Sequence, residues 1–168
     1  MSYQQIADVV DQLCSSLIQI LQAAIATMQA SSDSRTCRIL MSIHTEHERL
    51  HTGLRAYRCE GDPGVLRSWL QFVTSEDLDR MVHDTTFTTN MPADEIAARK
   101  LKFDQELIDF YGHLANYSNN DRVINFFDEL RLEAETRAAN QSWFIREFQP
   151  DGDPPVTNVP SNSPQSSD

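Results

Sequence analysis

The residues best suited to chemistry lie in one segment, residues 42–51, which reads SIHTEHERLH. On a helix of about 100° per residue, His44, His47 and His51 all fall within about 60° of the centre of the apolar stripe. His47 and His51 are four residues apart, a spacing at which two imidazoles can bind one metal ion from one turn of helix. Glu48 and His51 form an E-x-x-H pair, which four-helix bundles use for metal binding. The segment therefore indicates a candidate metal site on one helix.

A metal site inside a helical bundle needs carboxylates and imidazoles that converge from several helices, and the other predicted helices offer few. Asp104 lies at the centre of the apolar stripe that begins at Leu101, and Glu106 lies on its flank. Histidines on a helix flank often hydrogen-bond a neighbouring carboxylate and bind no metal. We therefore expect no cofactor. The alternative is an iron or zinc site whose donors come from two helices: His44, His47, Glu48 and His51, with Asp104 or Glu106.

Two charged residues share an unusual placement, because Asp104 and Arg137 both fall on core-facing positions of their predicted helices. A buried carboxylate or guanidinium without a partner is strongly unfavourable, so each must be paired. Two antiparallel helices could bring these residues together, with His47 beside them. We predict a buried polar cluster of His47, Asp104 and Arg137.

Motifs for enzymatic catalysis are not found in the sequence. It contains no G-x-S-x-G, no Walker A motif and no G-x-G-x-x-G. The cysteines Cys14, Cys37 and Cys59 have no spacing to a histidine that suggests a nucleophile pair. We assign no catalytic residue and no cofactor-binding residue, and we expect a protein that is not an enzyme.

The elements that must position these residues follow from the apolar spacing. Stripes at three- and four-residue steps predict four long helices, over residues 4–29, 35–58, 92–117 and 121–148. Between the second and third lies a crossover, residues 61–91, with short helices over 65–73 and 75–83 and a loop over 85–90. Short connections make antiparallel neighbours, and one long crossover lets the second hairpin pack beside the first. The predicted fold class is therefore all-α.

The chain divides into a helical bundle, residues 1–148, and a tail, residues 149–168. The tail is rich in Pro, Ser, Asp and Asn and almost free of large apolar side chains. Such a segment cannot offset the entropy that ordering would remove. We expect this acidic tail to be disordered.

Charge and cysteine content limit the partners and the compartment. The 14 basic and 25 acidic residues give a net charge of −11, which repels nucleic acid and anionic membrane surfaces. Three cysteines without a C-x-x-C spacing favour reduced thiols. No basic region opens the chain as a signal peptide would, and the longest apolar stretch, residues 17–28, is too short to span a bilayer. We expect a cytoplasmic protein that binds a protein partner or forms a homodimer.

The run over residues 104–138 resembles the second hairpin of rubrerythrin-like proteins in the ferritin-like superfamily. That hairpin reads as an acid, then FY and LA, a polar turn, F-x-x-L and E-x-x-H; the matching residues here are Phe110-Tyr111, Leu114-Ala115, Phe127 and Leu130. The first hairpin is similar through RILMSIHTEHERLHTGLRAY, residues 38–57, and GDPGVLRSWLQFV, residues 61–73, is similar to a stretch of small bacterial ferritin-like proteins. The resemblance implies a ferritin-like antiparallel four-helix bundle with a long helical crossover between helices two and three.

The resemblance also implies positions for the di-iron ligands of that superfamily. They fall near Leu17, on His47 and Leu50, on Asp104, and on Ala134 and Arg137. Only His47 and Asp104 carry a group that could bind iron. A shift of one residue brings in Glu48 and His51 on helix two, but leaves helix four without a histidine. The resemblance therefore implies a degenerate site, in which a salt bridge through Arg137 has replaced the metal.

The function that these observations favour is that of a non-catalytic interaction or accessory protein, built on a degenerate ferritin-like bundle. Two alternatives stand beside it. One is a metal-binding protein of redox or stress function, as relatives in the superfamily often are. The other is a small-molecule sensor that binds in the bundle centre, which the inward-facing polar residues favour.

Overall fold

The helices of this protein follow one another with short connections. A computed structural model describes residues 3–71 and 75–147, without the side chains of residues 75 and 142–147. The helices are α1 (Ile6–Ala30), α2 (Ser34–Glu60), α3 (Pro63–Leu66), α4 (Ser75–Asp84), α5 (Ala93–Asn116) and α6 (Asp121–Glu147), and the strands are β1 (Gln4–Gln5) and β2 (Trp69–Leu70). The predicted all-α class is confirmed. The predicted tail, residues 149–168, lies outside the described residues.

The four long helices form two hairpins. α1 and α2 are joined by residues 31–33 and pack against each other, as do α5 and α6, which are joined by residues 117–120. Asp33 caps α2, since its side chain accepts a hydrogen bond of 2.9 Å from the backbone N–H of Thr36. Both hairpins and their turns agree with the predicted elements to within a few residues.

Side-chain contacts fix how the second hairpin lies against α2. Partners on α2 and α6 run in opposite directions along the chain: Tyr57 with Phe126, Glu46 with Arg137, and Ser42 with Gln141. Partners on α2 and α5 run in the same direction along the chain: Arg35 with Asp94, and Glu46 with Lys100. α2 is therefore antiparallel to α6 and parallel to α5. Because of this arrangement, α2 contacts each of the other three long helices.

The crossover differs from its prediction in one part. Of the expected helix over residues 65–73, residues 72 and 73 lie outside the described residues, and the described part contains only the end of the single turn α3. β2 then pairs with β1 in an antiparallel register, Gln4 opposite Leu70. The backbone N–H of Ile6 extends this pairing with a hydrogen bond of 3.0 Å to Ser68 O. The N-terminal residues thus supply a partner strand 64 to 66 residues away, which a local apolar pattern cannot reveal. The predicted helix near residues 75–83 and the predicted loop over 85–90 are both confirmed.

The core lies between the long helices and is mostly as the spacing predicted. The predicted face of α1 is buried from Ile6 to Ala24. On α5 the buried face is broader than the predicted stripe, because Lys100 and Phe103 are buried while Leu101 is only half-buried. The predicted stripe was centred about one residue too late, and it excluded Lys100.

α1 is also more apolar than the stretch over residues 17–28 suggested. It contains an 18-residue window of mean hydropathy 1.4, so by length and composition alone it could cross a membrane. Part of that window is buried against other helices. A buried core helix can have the same length and the same apolar composition.

We predict that Phe127→Ala lowers the free energy of unfolding by about 3–5 kcal/mol, since large-to-small changes of buried aromatic residues leave a cavity. The Phe127 ring is buried on α6, beside the rings of Tyr111 and Phe126. Leu132→Ala on the same helix is the control, because that side chain is 64% exposed and its loss should change stability by no more than about 0.5 kcal/mol. Urea unfolding followed by circular dichroism measures both. Equal losses of stability in the two variants would contradict the burial of Phe127 and the exposure of Leu132 on α6.

Candidate functional site

The most unusual group in the described core is the ammonium of Lys100, whose side chain is 0% exposed. Lysine is almost never fully buried unless it is paired. One helical turn further along α5, Asp104 Oδ1 accepts a hydrogen bond from Lys100 Nζ. From α2, Glu46 Oε2 lies 3.1 Å from the same nitrogen. Two carboxylates from two helices therefore hold one buried cation.

The ion pairs continue from Glu46 to α6. Its other oxygen, Oε1, lies 3.9 Å from Arg137 Nε, and Arg137 Nη1 lies 3.7 Å from Glu133 Oε2 at the surface. Charges thus alternate from Asp104 through Lys100, Glu46 and Arg137 to Glu133. We call the first four residues of this series the Lys100 network. It joins α5, α2 and α6, and its formal charges cancel.

Burial disfavours the ionised form of the two carboxyl groups in the Lys100 network. Desolvation raises the pKa of Glu46 and of Asp104 above their usual values of 4.5 and 3.8, while Lys100 opposes both shifts. The folded chain therefore binds protons at these groups more tightly than the unfolded chain does. As pH rises above these usual values, their ionisation lowers the free energy of unfolding. The attraction of Lys100 limits that loss.

His47 lies next to this network as a neutral ring. It is 2% exposed, and its centroid lies 4.9 Å from that of the Phe103 ring. Neither ring nitrogen has a hydrogen-bond partner in the described part of the chain. Desolvation, followed by repulsion from Lys100 and Arg137, holds the pKa of His47 well below 6.5. The imidazole is therefore uncharged at neutral pH.

The ion pairs at Asp104 and Arg137 differ from those predicted for the cluster of His47, Asp104 and Arg137. Asp104 pairs with Lys100 and not with Arg137, whose carboxylate partners are Glu46 and Glu133. Sequence reasoning missed Lys100 because the predicted apolar stripe began one residue later, at Leu101. It missed Glu46 because that residue precedes His47 and lies beside the apolar stripe. The four-residue step from Lys100 to Asp104 was the signal that could have found the pair.

The predicted metal donors do not gather at one point. His44 Nδ1 lies 4.0 Å from Glu48 Oε2, whose side chain is mostly exposed. Glu106 pairs instead with Lys102, with Oε1 3.7 Å from Nζ. His51 is half-buried on α2, and its Nε2 has no hydrogen-bond partner among the described residues. Within residues 3–71 and 75–147, no group of three or more His, Cys, Asp or Glu side chains could hold a metal ion. The metal site remains a prediction.

The positions that the ferritin-like resemblance gives to metal ligands hold mostly apolar side chains. Leu17, Leu50 and Ala134 are all buried in the core. These three cannot bind iron, and Arg137 carries a positive charge that repels it. The residues present therefore do not fit a di-iron centre.

A groove runs along the α2/α6 contact beside Arg137. It consists of two cavities of about 390 and 610 Å³, and Arg49 and Arg137 line both of them. The first cavity also has Leu50, Leu54 and Leu130 on its wall. This α2/α6 groove is a concave surface of the size that small-molecule sites have.

Comparisons with protein-family models, with curated proteins and with solved structures gave no match. The functional proposals below therefore rest on the arrangement of the side chains and on the resemblance described above.

We predict that His47→Phe becomes more stable relative to the wild type as pH falls from about 7.5 to about 5.5. Below pH 6.5 the unfolded chain binds a proton at His47 that the folded chain does not, so the wild type loses up to about 1.4 kcal/mol per pH unit at this site. Urea unfolding at both pH values measures the difference. Glu46 and Asp104 change the free energy of unfolding with pH in the opposite direction, but both proteins contain them, so their contribution cancels in the difference. His113→Gln, at an exposed position on α5, is the control. An unchanged difference for His47→Phe would show that the ring is not buried as a neutral group.

We predict that Lys100→Met lowers the free energy of unfolding by about 3–5 kcal/mol at neutral pH, because it leaves two buried carboxylates without their cation. The loss should become smaller as pH falls, because burial raises the pKa of both carboxyls and they take up protons more readily in the folded state. Lys102→Met is the control, since that ammonium lies in solvent and should contribute little. Adding Glu46→Gln and Asp104→Asn to Lys100→Met should restore part of the loss. Equal effects at Lys100 and Lys102 would contradict the buried network.

Proposed function

We propose that this chain is a non-catalytic protein of the ferritin-like type, in which the Lys100 ammonium takes the place of a metal cation. The observation that carries this proposal is the fully buried Lys100, held by Glu46 from α2 and Asp104 from α5. In di-iron bundles, inward carboxylates from several helices surround the metals. Here inward carboxylates surround an amine that belongs to the chain.

The connectivity of the helices supports the ferritin-like part of the proposal. Two hairpins joined by one long crossover distinguish ferritin-like bundles from simple up-and-down bundles. The crossover here spans residues 61–92 and contains α3, β2 and α4. It leaves α2 parallel to α5 and antiparallel to α6. Loops of two to eight residues could not connect parallel neighbours in this way.

The chemistry of the buried charges opposes the binding of iron or zinc. A divalent ion between Glu46 and Asp104 would have to displace the Lys100 ammonium or make it lose its proton. Arg137 adds a second positive charge on the α6 side. The bundle thus has internal cations that neutralise its inward carboxylates. Without a redox-active ion the bundle supplies no oxidase chemistry. We infer that it has an interaction or accessory role in the cytoplasm, and that it binds a protein partner or a second copy of the chain.

Metal content tests this proposal directly. The protein would be purified without a histidine tag from cells supplied with iron and zinc, and then examined by elemental analysis and by optical spectra in air. We expect no iron or zinc above trace in the wild type. We expect the same for Lys102→Met, a control that removes one positive charge outside the Lys100 network. A ratio of about two irons per chain would contradict the proposal and restore di-iron chemistry. About one zinc or iron per chain, lost in a His47→Ala/His51→Ala variant, would instead support the metal-binding alternative.

A further inference from the structure

Two contacts between α2 and α6 lie along the α2/α6 groove. At one end the Tyr57 and Phe126 rings stack with centroids 4.3 Å apart and an interplanar angle of 16°. Near the other end, Gln141 Nε2 donates a hydrogen bond of 3.0 Å to Ser42 Oγ. On a helix these contacts are about 22 Å apart at 1.5 Å per residue. The two cavities along these contacts have the volumes of small-molecule sites.

One half of the groove is mostly apolar, with the carboxylates of Glu129 and Glu133 also on its wall. Leu50 and Leu54 from α2 face Leu130 from α6, and the Tyr57–Phe126 pair lies beyond them. Gly53 widens this half, because a Cβ atom built at this position would meet nothing within 4 Å. An aliphatic chain or an aromatic ring would bury its apolar surface here. This half therefore favours the apolar part of a ligand.

The other half is positive in a chain whose net charge is −11. Arg38, Arg49 and Arg137 line it with one carboxylate, that of Glu46, which Lys100 holds. Glu133, on the wall of the other half, lies 3.7 Å from Arg137 Nη1. Within the described residues, Arg49 makes no ion pair. The Nη2 atom of Arg137 is shielded from solvent and has no hydrogen-bond partner in the same part of the chain. Guanidinium groups bind carboxylates with two parallel hydrogen bonds.

We propose that the α2/α6 groove binds a small anionic amphiphile, a carboxylate that bears an aliphatic chain or an aromatic ring. The carboxylate lies between Arg49 and Arg137. The apolar part extends over Leu50 and Leu54 towards the Tyr57–Phe126 pair. This proposal moves the predicted ligand from the bundle centre to the α2/α6 side. It does not depend on the absence of metal, so the two proposals can fail separately.

The test uses the full chain with decanoate as the probe, in isothermal titration calorimetry below the micelle concentration. Decylamine and decanol, which carry the same chain with a cationic or neutral head, are the comparison ligands. We expect decanoate to bind at least about tenfold more tightly than either, since a charge-assisted pair is worth about 1.5–3 kcal/mol. Equal binding of the three ligands, or no binding of decanoate at millimolar concentration, would overturn the proposal.

Two variants locate the ligand in the groove. Arg49→Gln should weaken decanoate binding about tenfold or more, whereas Arg55→Gln, the same charge change at another exposed position of α2, should leave it unchanged. Gly53→Leu should fill the apolar half and reduce binding by more than about tenfold. Because this change also raises helix propensity, the variant should be at least as stable as the wild type, which separates lost binding from lost folding.

The remaining outcomes assign the groove to another occupant. Wild-type affinity in both Arg49→Gln and Gly53→Leu would place the decanoate elsewhere on the protein and overturn the proposal. If decanoate fails to bind while Arg49→Glu alters the sedimentation behaviour of the protein, the groove is an interface between copies of the chain. If instead an acidic amphipathic peptide binds and decanoate does not, the groove takes a helix. Each of these results contradicts a small-molecule site.

Discussion

A buried ammonium group is tolerated only where carboxylates reach it, and this requirement fixes how three helices of the bundle face one another. The Lys100 side chain leaves α5 and meets Glu46 on α2, and Glu46 in turn approaches Arg137 on α6. A rotation of any one helix would separate a charge from its partner in a medium that solvates it poorly. An apolar core tolerates many similar packings, whereas this set of charges permits few. The network thus restricts the register of α2 against both α5 and α6.

The sequence predicted the parts of this structure that depend on local periodicity. The four long helices, their turns and the buried face of α1 follow from apolar residues at three- and four-residue steps. Asp104, which interrupts such a stripe, is buried as predicted, whereas Arg137 is only half-buried. Lys100 could not be placed in this way, because a lysine on a stripe flank is usually extended into water by its flexible stem. The β1–β2 pairing was missed for a different reason, since two strands of two residues each carry almost no pattern of their own.

Arg137 belongs both to the interior and to the surface. Its Nε approaches Glu46 in the Lys100 network, and its side chain also lines the α2/α6 groove. A group bound in the groove would therefore interact with a residue that takes part in holding α2 and α6 together. This position explains why an arginine suits the site better than a lysine, because a guanidinium presents several fixed donors in different directions.

The division of the bundle into two hairpins has a consequence for the order in which the chain folds. Contacts next to each hairpin turn join residues close in sequence, whereas Glu46 reaches Lys100 and Arg137 across the whole crossover. Long-range contacts form only after the loop that separates them has lost its entropy. We infer that the hairpins form first and that the ion pairs form when they dock. Interactions that form after the transition state slow unfolding and leave the folding rate unchanged. The two arms of a chevron plot report the folding rate and the unfolding rate separately. The buried charges would then act mainly to keep the finished bundle closed.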